Sequence, residues 1–130
     1  VAAGEDGRAI VADATRAELA PVDTVLIIDA LHYLAREERR ALLERAAAAL
    51  RPGGRLVIRE LDPKRGLRSR IAQWAERVGS RVGMNRGAVC EWVDPAALSA
   101  EVAALGLSPR LVPHPDDKPS PNYLLIADKA

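Results

Sequence analysis

Four polar side chains stand where short apolar runs of the sequence end. Asp13 follows one such run, Asp29 follows a second, and Glu60 follows a third. His32 comes three residues after Asp29. Ligands of open α/β sheets bind where the strands end, and an imidazole near its ordinary pKa can accept and donate protons at neutral pH. The spacing therefore places the best candidates for a ligand site around these residues.

The elements that must hold these residues follow the order strand, strand, helix, strand, helix, helix, strand, turn, strand. Short apolar runs predict strands at residues 9–12, 22–28, 56–58, 107–113 and 123–127. Apolar residues three and four apart predict helices at about 34–50, 66–82 and 95–105. Strands joined by a helix pair in parallel through a right-handed crossover, whereas the last two strands, joined by a turn, are expected to run in opposite directions. The order predicts an α/β sheet with an antiparallel final strand.

Local signals place the ends of two of these helices. Glu37 and Glu38 fall in the first turn of the helix after Asp29, where acids favour the helix dipole. Gly53 or Gly54 is expected to end that helix, since glycine adopts positive φ readily. Asp94 followed by Pro95 predicts the N-cap and first residue of the helix at about 95–105.

Composition limits the class of protein. A chain of 130 residues with 48% hydrophobic residues is expected to form a single domain over residues 1–130. Its 19 basic residues nearly balance its 18 acidic ones, so charge does not indicate nucleic acid as a partner. The single cysteine, Cys90, has no disulfide partner in the chain, and no apolar run is long enough to span a membrane. We expect a cytoplasmic protein without a metal site.

Three stretches together resemble the C-terminal part of the class I S-adenosylmethionine-dependent methyltransferases. They are Ala-Ile-Val-Ala-Asp-Ala at residues 9–14, Asp-Thr-Val-Leu-Ile-Ile-Asp-Ala-Leu-His-Tyr-Leu at 23–34, and Leu-Arg-Pro-Gly-Gly-Arg-Leu-Val-Ile-Arg-Glu at 50–60. Within the family the chain is most similar to small bacterial enzymes with a Leu-His-Tyr-Leu segment. The resemblance implies a Rossmann-like α/β sheet with helices on both faces and an antiparallel final strand. It also implies methyl transfer from S-adenosylmethionine to a small molecule, with oxygen the expected acceptor atom.

The resemblance assigns roles to residues at the strand ends. Asp13 would bind the adenine amino group, with the small Ala14 leaving room for the ring. Asp29 and Ala30 would lie against the methionine part of the cofactor. His32 resembles the catalytic base of plant-type small-molecule O-methyltransferases, although the Asp-Trp that follows the histidine there is absent here.

Glu60 would lie beside His32 at the mouth of the pocket and orient its imidazole or a substrate hydroxyl. Each of these assignments has a structural alternative. Asp13 can cap the turn that follows it, and Asp29 can be the N-cap of the next helix. His32 can merely pack or cap, and Glu60 can form a salt bridge with Arg59 or Arg68.

The family's first strand, Gly-rich loop and ribose-binding acid have no counterpart in the 130 residues. We therefore expect the chain to be truncated at its N-terminus relative to the family. We also expect it to bind S-adenosylmethionine weakly or not at all by itself, and to be inactive alone.

A basic segment, residues 64–86, lies within a candidate lid at residues 62–93. It holds seven cations against one acid, so an acidic carrier protein or another anionic surface is a candidate partner. Solvated charge is the alternative.

Two other functions compete with a methyltransferase. A non-catalytic methyltransferase-like binding module would share the sheet. A dinucleotide-dependent oxidoreductase would also share it, but Tyr33 is followed four positions later by Glu37 and not by lysine, so the Tyr-x-x-x-Lys pair of short-chain dehydrogenases is absent.

Overall fold

The protein is described by a computed structural model that covers residue 7 and residues 9–64, 91–112 and 122–130. The strands are β1 (Val22–Ile28), β2 (Leu50–Leu61), β3 (Leu107–Val112) and β4 (Asn122–Lys129). The helices are α1 (Arg36–Ala49) and α2 (Pro95–Ala104), and a short 3-10 turn (Leu31–Tyr33) precedes α1. The predicted helix at 66–82 and Cys90 lie outside the described residues.

The four strands form one sheet in the order β1-β2-β4-β3. β1 and β2 are parallel, as expected for strands linked by a helix, whereas β4 runs antiparallel to both β2 and β3. The prediction of an antiparallel final strand is confirmed. Among the described residues, no strand pairs with the outer edge of β1.

One face of the sheet forms the core with both described helices. Side chains that alternate along the strands share this face because successive side chains point to opposite sides. Fully buried examples are Leu56, Ile58 and Leu125, which pack in one cluster with Leu43 of α1 and Leu98 of α2. The opposite face is more exposed: Leu26 retains 65% of its accessible surface and Ile28 retains 44%.

The end of α1 differs from its prediction. The helix ends at Ala49, and Leu50 already has extended backbone, so neither Gly53 nor Gly54 closes it. Arg51 precedes a proline, and that position disfavours the helical conformation. Gly53 has a φ of +78° within the first part of β2, where the pairing with β1 shifts its register, and a Cβ on Gly54 would lie 2.8 Å from the carbonyl oxygen of Arg51. The glycine pair therefore shapes the first part of β2.

The C-terminal end of α1 is capped from another element. The Nζ atom of Lys129, near the end of β4, donates to the carbonyl oxygens of Ala47 at 2.9 Å and Leu50 at 2.7 Å. Carbonyl groups in the last turn of a helix lack partners within the helix, so a cation placed there satisfies them. This contact ties the last strand to α1.

The strand predicted at residues 9–12 does not form. These residues have no regular structure, with Ile10 70% exposed and Val11 fully exposed. A strand depends on hydrogen bonds to a neighbouring strand, and β1–β4 pair only with one another in the part of the chain that is described. The apolar run alone therefore gave a wrong prediction here.

Candidate functional site

Glu60 is a buried carboxylate at the end of β2. Only 1% of its surface is accessible, and it lies on the face of the sheet that α1 and α2 cover. Its Oε1 atom accepts hydrogen bonds from the backbone N–H groups of Ala30 at 2.9 Å and Leu31 at 2.6 Å. A buried charge is costly unless it is paired and hydrogen-bonded. The 3-10 turn after β1 supplies these donors and so fixes the carboxylate.

His32 lies in that 3-10 turn and is 3% exposed. Its Nδ1 atom is 2.7 Å from Oε2 of Glu60. An ionised carboxylate can only accept, so Nδ1 carries a hydrogen, and in the neutral form of the ring the lone pair is then on Nε2. The Nε2 atom is buried and has no hydrogen-bond partner among the described residues. The pair thus presents an oriented imidazole whose second nitrogen can accept a proton.

Two aromatic rings contact the imidazole of His32. The indole of Trp92 stacks on it with ring centroids 4.5 Å apart and an interplanar angle of 17°. The ring of Tyr33 lies 4.0 Å away at an angle of 43°. The backbone N–H of Glu91 donates to the carbonyl oxygen of His32 at 2.9 Å, so the segment before α2 is attached to the 3-10 turn.

Tyr123 lies beside Glu60 on the neighbouring strand. It is opposite Glu60 in the antiparallel register of β2 and β4, and its hydroxyl donates to the carbonyl oxygen of Val93 at 3.1 Å. Burial, reinforced by the negative charge of Glu60, raises the pKa of Tyr123 above its ordinary value. The phenol therefore stays protonated and serves as a donor, not as a base.

Asp29 is held away from the histidine pair. It has a φ of +51°, its N–H donates to the carbonyl oxygen of Arg59 at 2.9 Å, and its carboxylate forms an ion pair with the Arg59 guanidinium. The hydrogen bond that the Arg59 guanidinium donates to the Asp29 carboxylate raises the pKa of Arg59. The alternative that Asp29 is the N-cap of the helix is wrong, because α1 begins seven residues later, after Ala35. Ala30 is partly buried and donates its N–H to Glu60.

Arg59 pairs with Asp29 and not with Glu60, so the salt bridge considered between Arg59 and Glu60 does not form. Glu60 contacts His32 instead. Arg68, the other cation considered, lies outside the described residues. The Glu60 side chain instead joins three consecutive residues of the turn after β1.

Asp13 forms an exposed turn of its own. Its Oδ1 atom accepts from the backbone N–H of Thr15 at 2.9 Å and from the Thr15 hydroxyl at 2.7 Å, which lowers the pKa of the carboxyl. Ala14 is exposed in the same turn. Arg45 of α1 donates to the carbonyl oxygens of Thr15 at 3.2 Å and Arg16 at 2.7 Å, attaching the turn to the helix. The turn-capping geometry is present, while cofactor binding by Asp13 stays a prediction.

An exposed ion pair joins the residues just after β2 to the start of α2. Lys64, just after β2, lies 2.7 Å from Oδ1 of Asp94. The same carboxylate accepts from the N–H groups of Ala96 at 3.1 Å and Ala97 at 3.2 Å, which confirms Asp94 as the N-cap of α2. The hydrogen bond with Lys64 raises the pKa of Lys64 and lowers that of Asp94.

Trp92 and Tyr123 are two residues of the site that the sequence patterns do not indicate. Trp92 precedes a predicted N-cap, which gives no indication that its ring meets His32. Tyr123 begins the last strand, and only the register of an antiparallel pair places it opposite Glu60. Within the described ranges, no cluster of three or more His, Cys, Asp or Glu side chains is arranged to hold a metal ion. No helix described here has the length and apolar character needed to cross a membrane.

Comparison with known proteins relates this geometry to one fold family. A family model described as a methyltransferase domain matches residues 2–58. Comparison with curated proteins found no match. Among solved structures, an O-methyltransferase family protein from Burkholderia thailandensis matches with a TM-score of 0.64 and 24% identity, covering 91% of this chain and 33% of that one. The chain has the class I methyltransferase fold.

Two further structures agree with this assignment. An O-methyltransferase family 2 protein from Planctomyces limnophilus, in complex with apigenin, matches with a TM-score of 0.69 and 20% identity over 92% of this chain and 33% of that one. Human N-acetylserotonin methyltransferase, in complex with S-adenosylmethionine, matches with a TM-score of 0.65 and 18% identity over 91% of this chain and 32% of that one. The chain therefore spans about a third of the length of these proteins. The predicted fold class and the resemblance to class I methyltransferases are confirmed.

Proposed function

We propose that the protein transfers a methyl group from S-adenosylmethionine to the hydroxyl oxygen of a small molecule, with His32 as the general base. The observation that carries the proposal is the buried pair of His32 and Glu60, in which the Nε2 atom has no hydrogen-bond partner in the part of the chain that the structure describes. A buried polar atom without a partner is costly, so its retention favours a ligand group that bonds to it. The methyltransferase-domain match over residues 2–58 and the neighbouring O-methyltransferase structures support the reaction class.

His32 and Glu60 have different roles in the proposed proton transfer. Nε2 of His32 accepts the hydroxyl proton of the acceptor as its oxygen becomes the nucleophile. Oε2 of Glu60 stays bonded to Nδ1–H and stabilises the positive charge that the ring then carries. Burial of the pair excludes water, which strengthens this electrostatic interaction. Because Glu60 also accepts from the turn's backbone, the imidazole is positioned before any ligand binds.

S-adenosylmethionine, when bound, supplies a methyl group activated by its sulfonium. Asp13, Ala14, Asp29 and Ala30 are the proposed contacts for it in this chain. The Oδ1 atom of Asp13 is used by Thr15, but a carboxylate accepts several hydrogen bonds, and Asp13 is exposed, so an adenine amino group fits at its second oxygen. For Asp29 to contact the cofactor, its ion pair with Arg59 would have to rearrange.

The proposal is tested by methyl-transfer assays of the full-length protein on phenolic substrates. His32→Ala should lower kcat by about 100-fold or more, the usual contribution of a positioned base. His114→Ala is a matched control, because it removes the other histidine of the chain. Activity unchanged by His32→Ala would remove His32 as the base.

Binding by the isolated chain is a separate proposal. The chain spans about a third of the solved relatives, and the resemblance assigns the Gly-rich loop and ribose-binding acid to sequence outside it. We expect calorimetry on the 130-residue chain to detect weak binding of S-adenosylmethionine or none. Micromolar binding would contradict this expectation.

The alternative of a non-catalytic binding module has less support, since docking a partner on the surface gives no reason for a buried His–Glu pair whose Nε2 has no partner among residues 9–64, 91–112 and 122–130. The basic segment proposed to meet an acidic carrier protein lies almost wholly outside the described residues, so that partner stays a prediction. The cytoplasmic location also stays a prediction.

A further inference from the structure

We propose that Trp92 is a positioning residue of the site, and that its indole face holds the His32 imidazole in the orientation required for proton transfer. This inference rests on the proposed function of His32. It assigns a role to the segment before α2, for which the sequence gives no local signal. Trp92 acts through His32 and is not itself proposed to touch the substrate.

A single hydrogen bond does not fix the plane of an imidazole. The bond between Nδ1 of His32 and Oε2 of Glu60 sets one point of the ring, about which the ring could still tilt. The stacked indole, at 4.5 Å and 17°, restricts that tilt across a whole face. Tyr33 is steeply inclined at 43° and contacts the ring from its own turn, so it does not provide an equivalent flat surface. The direction of Nε2 therefore depends on Trp92.

The indole can serve as a support only if its own backbone is fixed. The residue before it, Glu91, donates its N–H to the carbonyl oxygen of His32 at 2.9 Å. The residue after it, Val93, is 5% exposed in the core and accepts the Tyr123 hydroxyl at 3.1 Å. Asp94 then caps α2. Trp92 is thus held between anchored neighbours, two of whose contacts lead back to the site.

The indole face interacts favourably with both the neutral and the protonated form of the His32 ring. The neutral ring stacks on it, and the ring that has accepted a proton is attracted to the negative face of the indole. A leucine is smaller than the indole and would supply neither property. Misplacement of a catalytic group by about 1 Å can lower a rate by about 100-fold, so the orientation of Nε2 is expected to matter for kcat.

The test compares Trp92→Leu with Trp92→Phe in the full-length protein. Trp92→Leu removes the aromatic face and should lower kcat by about tenfold to a hundredfold while leaving the KM for S-adenosylmethionine within about twofold. Trp92→Phe keeps a flat ring and should retain kcat within about threefold. Equal losses in both variants would overturn the proposal, because the ring face would then not be the feature required.

A spectroscopic readout separates this proposal from the proposed function. With histidine labelled by ¹⁵N, the Nδ1–H proton of His32 is assigned as the signal missing in His32→Gln. We expect that proton to persist in Trp92→Phe and to be lost to solvent exchange in Trp92→Leu. If it persists equally in both variants, Trp92 does not position the ring. If His32→Ala leaves activity intact while Trp92→Leu still loses the signal, the proposed function fails and the positioning by Trp92 stands.

Discussion

Glu60 on β2 and Tyr123 on β4 are direct partners in the antiparallel register, so a buried carboxylate and a buried phenol occupy neighbouring positions on the covered face of the sheet. The phenol turns away to donate to Val93, and the carboxylate accepts from the turn that carries His32. Each polar group thereby connects the central strands to a different segment of the site. We therefore expect Tyr123 to affect the stability of the domain at alkaline pH, while Glu60 orients the candidate base.

The raised pKa of Tyr123 predicts a loss of stability at alkaline pH. An unfolded tyrosine loses its proton near its ordinary pKa of 10.0, while the folded one keeps it to higher pH. Unfolding therefore releases a proton above about pH 10, and the free energy of unfolding falls by up to about 1.4 kcal/mol per pH unit from this residue. Below pH 10 its contribution is constant.

Tyr123→Phe removes this proton, so its unfolding free energy should depend less on pH between about 10 and 11.5 than that of the wild type. Urea unfolding at closely spaced pH values measures the difference. Tyr33→Phe is the matched control for the second tyrosine of the chain. Parallel curves for wild type and Tyr123→Phe would show that the phenol is not retained in its protonated form.

Glu60→Gln removes the negative charge of the site and keeps a side chain of nearly the same size. The amide keeps one acceptor oxygen but puts an NH₂ group against either the backbone donors or Nδ1 of His32. We expect a loss of about 1–3 kcal/mol in unfolding free energy and a decrease in kcat of about 100-fold or more. Urea unfolding and methyl-transfer kinetics measure the two effects. Full activity in Glu60→Gln would mean that the carboxylate does not assist His32.

Sequence patterns predicted the elements well where local signals agree with tertiary packing. β1, α1, α2 and β4 lie within a few residues of their predicted ranges, and Asp94 caps α2 as its Asp-Pro signal indicates. Residues 9–12 show the limit, because an apolar run becomes a strand only beside a partner strand. The end of α1 shows a second limit of such patterns. Pro52 disfavours helical backbone at Arg51, so the helix ends before it reaches Gly53 and Gly54.

The site could be predicted in part for a related reason. Strand ends in a parallel pair meet at one edge, so Glu60 could be placed near the His32 turn from the element order alone. The direction of each carboxylate could not be predicted, because it depends on which donors the folded turn offers. Asp29 therefore turned to Arg59, and Glu60 turned to His32. The stacking of Trp92 arises between segments 60 residues apart and leaves no local signal.

Lys129→Met should destabilise the domain through α1. The substitution keeps the length of the side chain but leaves the carbonyl oxygens of Ala47 and Leu50 without their donor. Because both groups are near the core, we expect a loss of about 1–3 kcal/mol in unfolding free energy. Lys64→Met is the control, since the Lys64 ion pair is exposed and such pairs contribute less than a partly buried cap. Equal unfolding midpoints in urea for Lys129→Met and the wild type would contradict the assigned cap.

Asp94→Asn should alter how stability depends on acid pH. Asparagine is also a good N-cap, so the variant keeps the cap of α2 and loses the charge that pairs with Lys64. The pKa of Asp94 is lowered by that hydrogen bond, so its contribution is complete above the ordinary value of 3.8 and is lost as the pH falls through the folded pKa. The wild type should therefore be more stable than Asp94→Asn at pH 6, with the difference shrinking toward pH 3. Thermal unfolding of both proteins at the two pH values measures it, and a difference that stays constant or grows in acid would show that the carboxylate is not stabilised in its charged form.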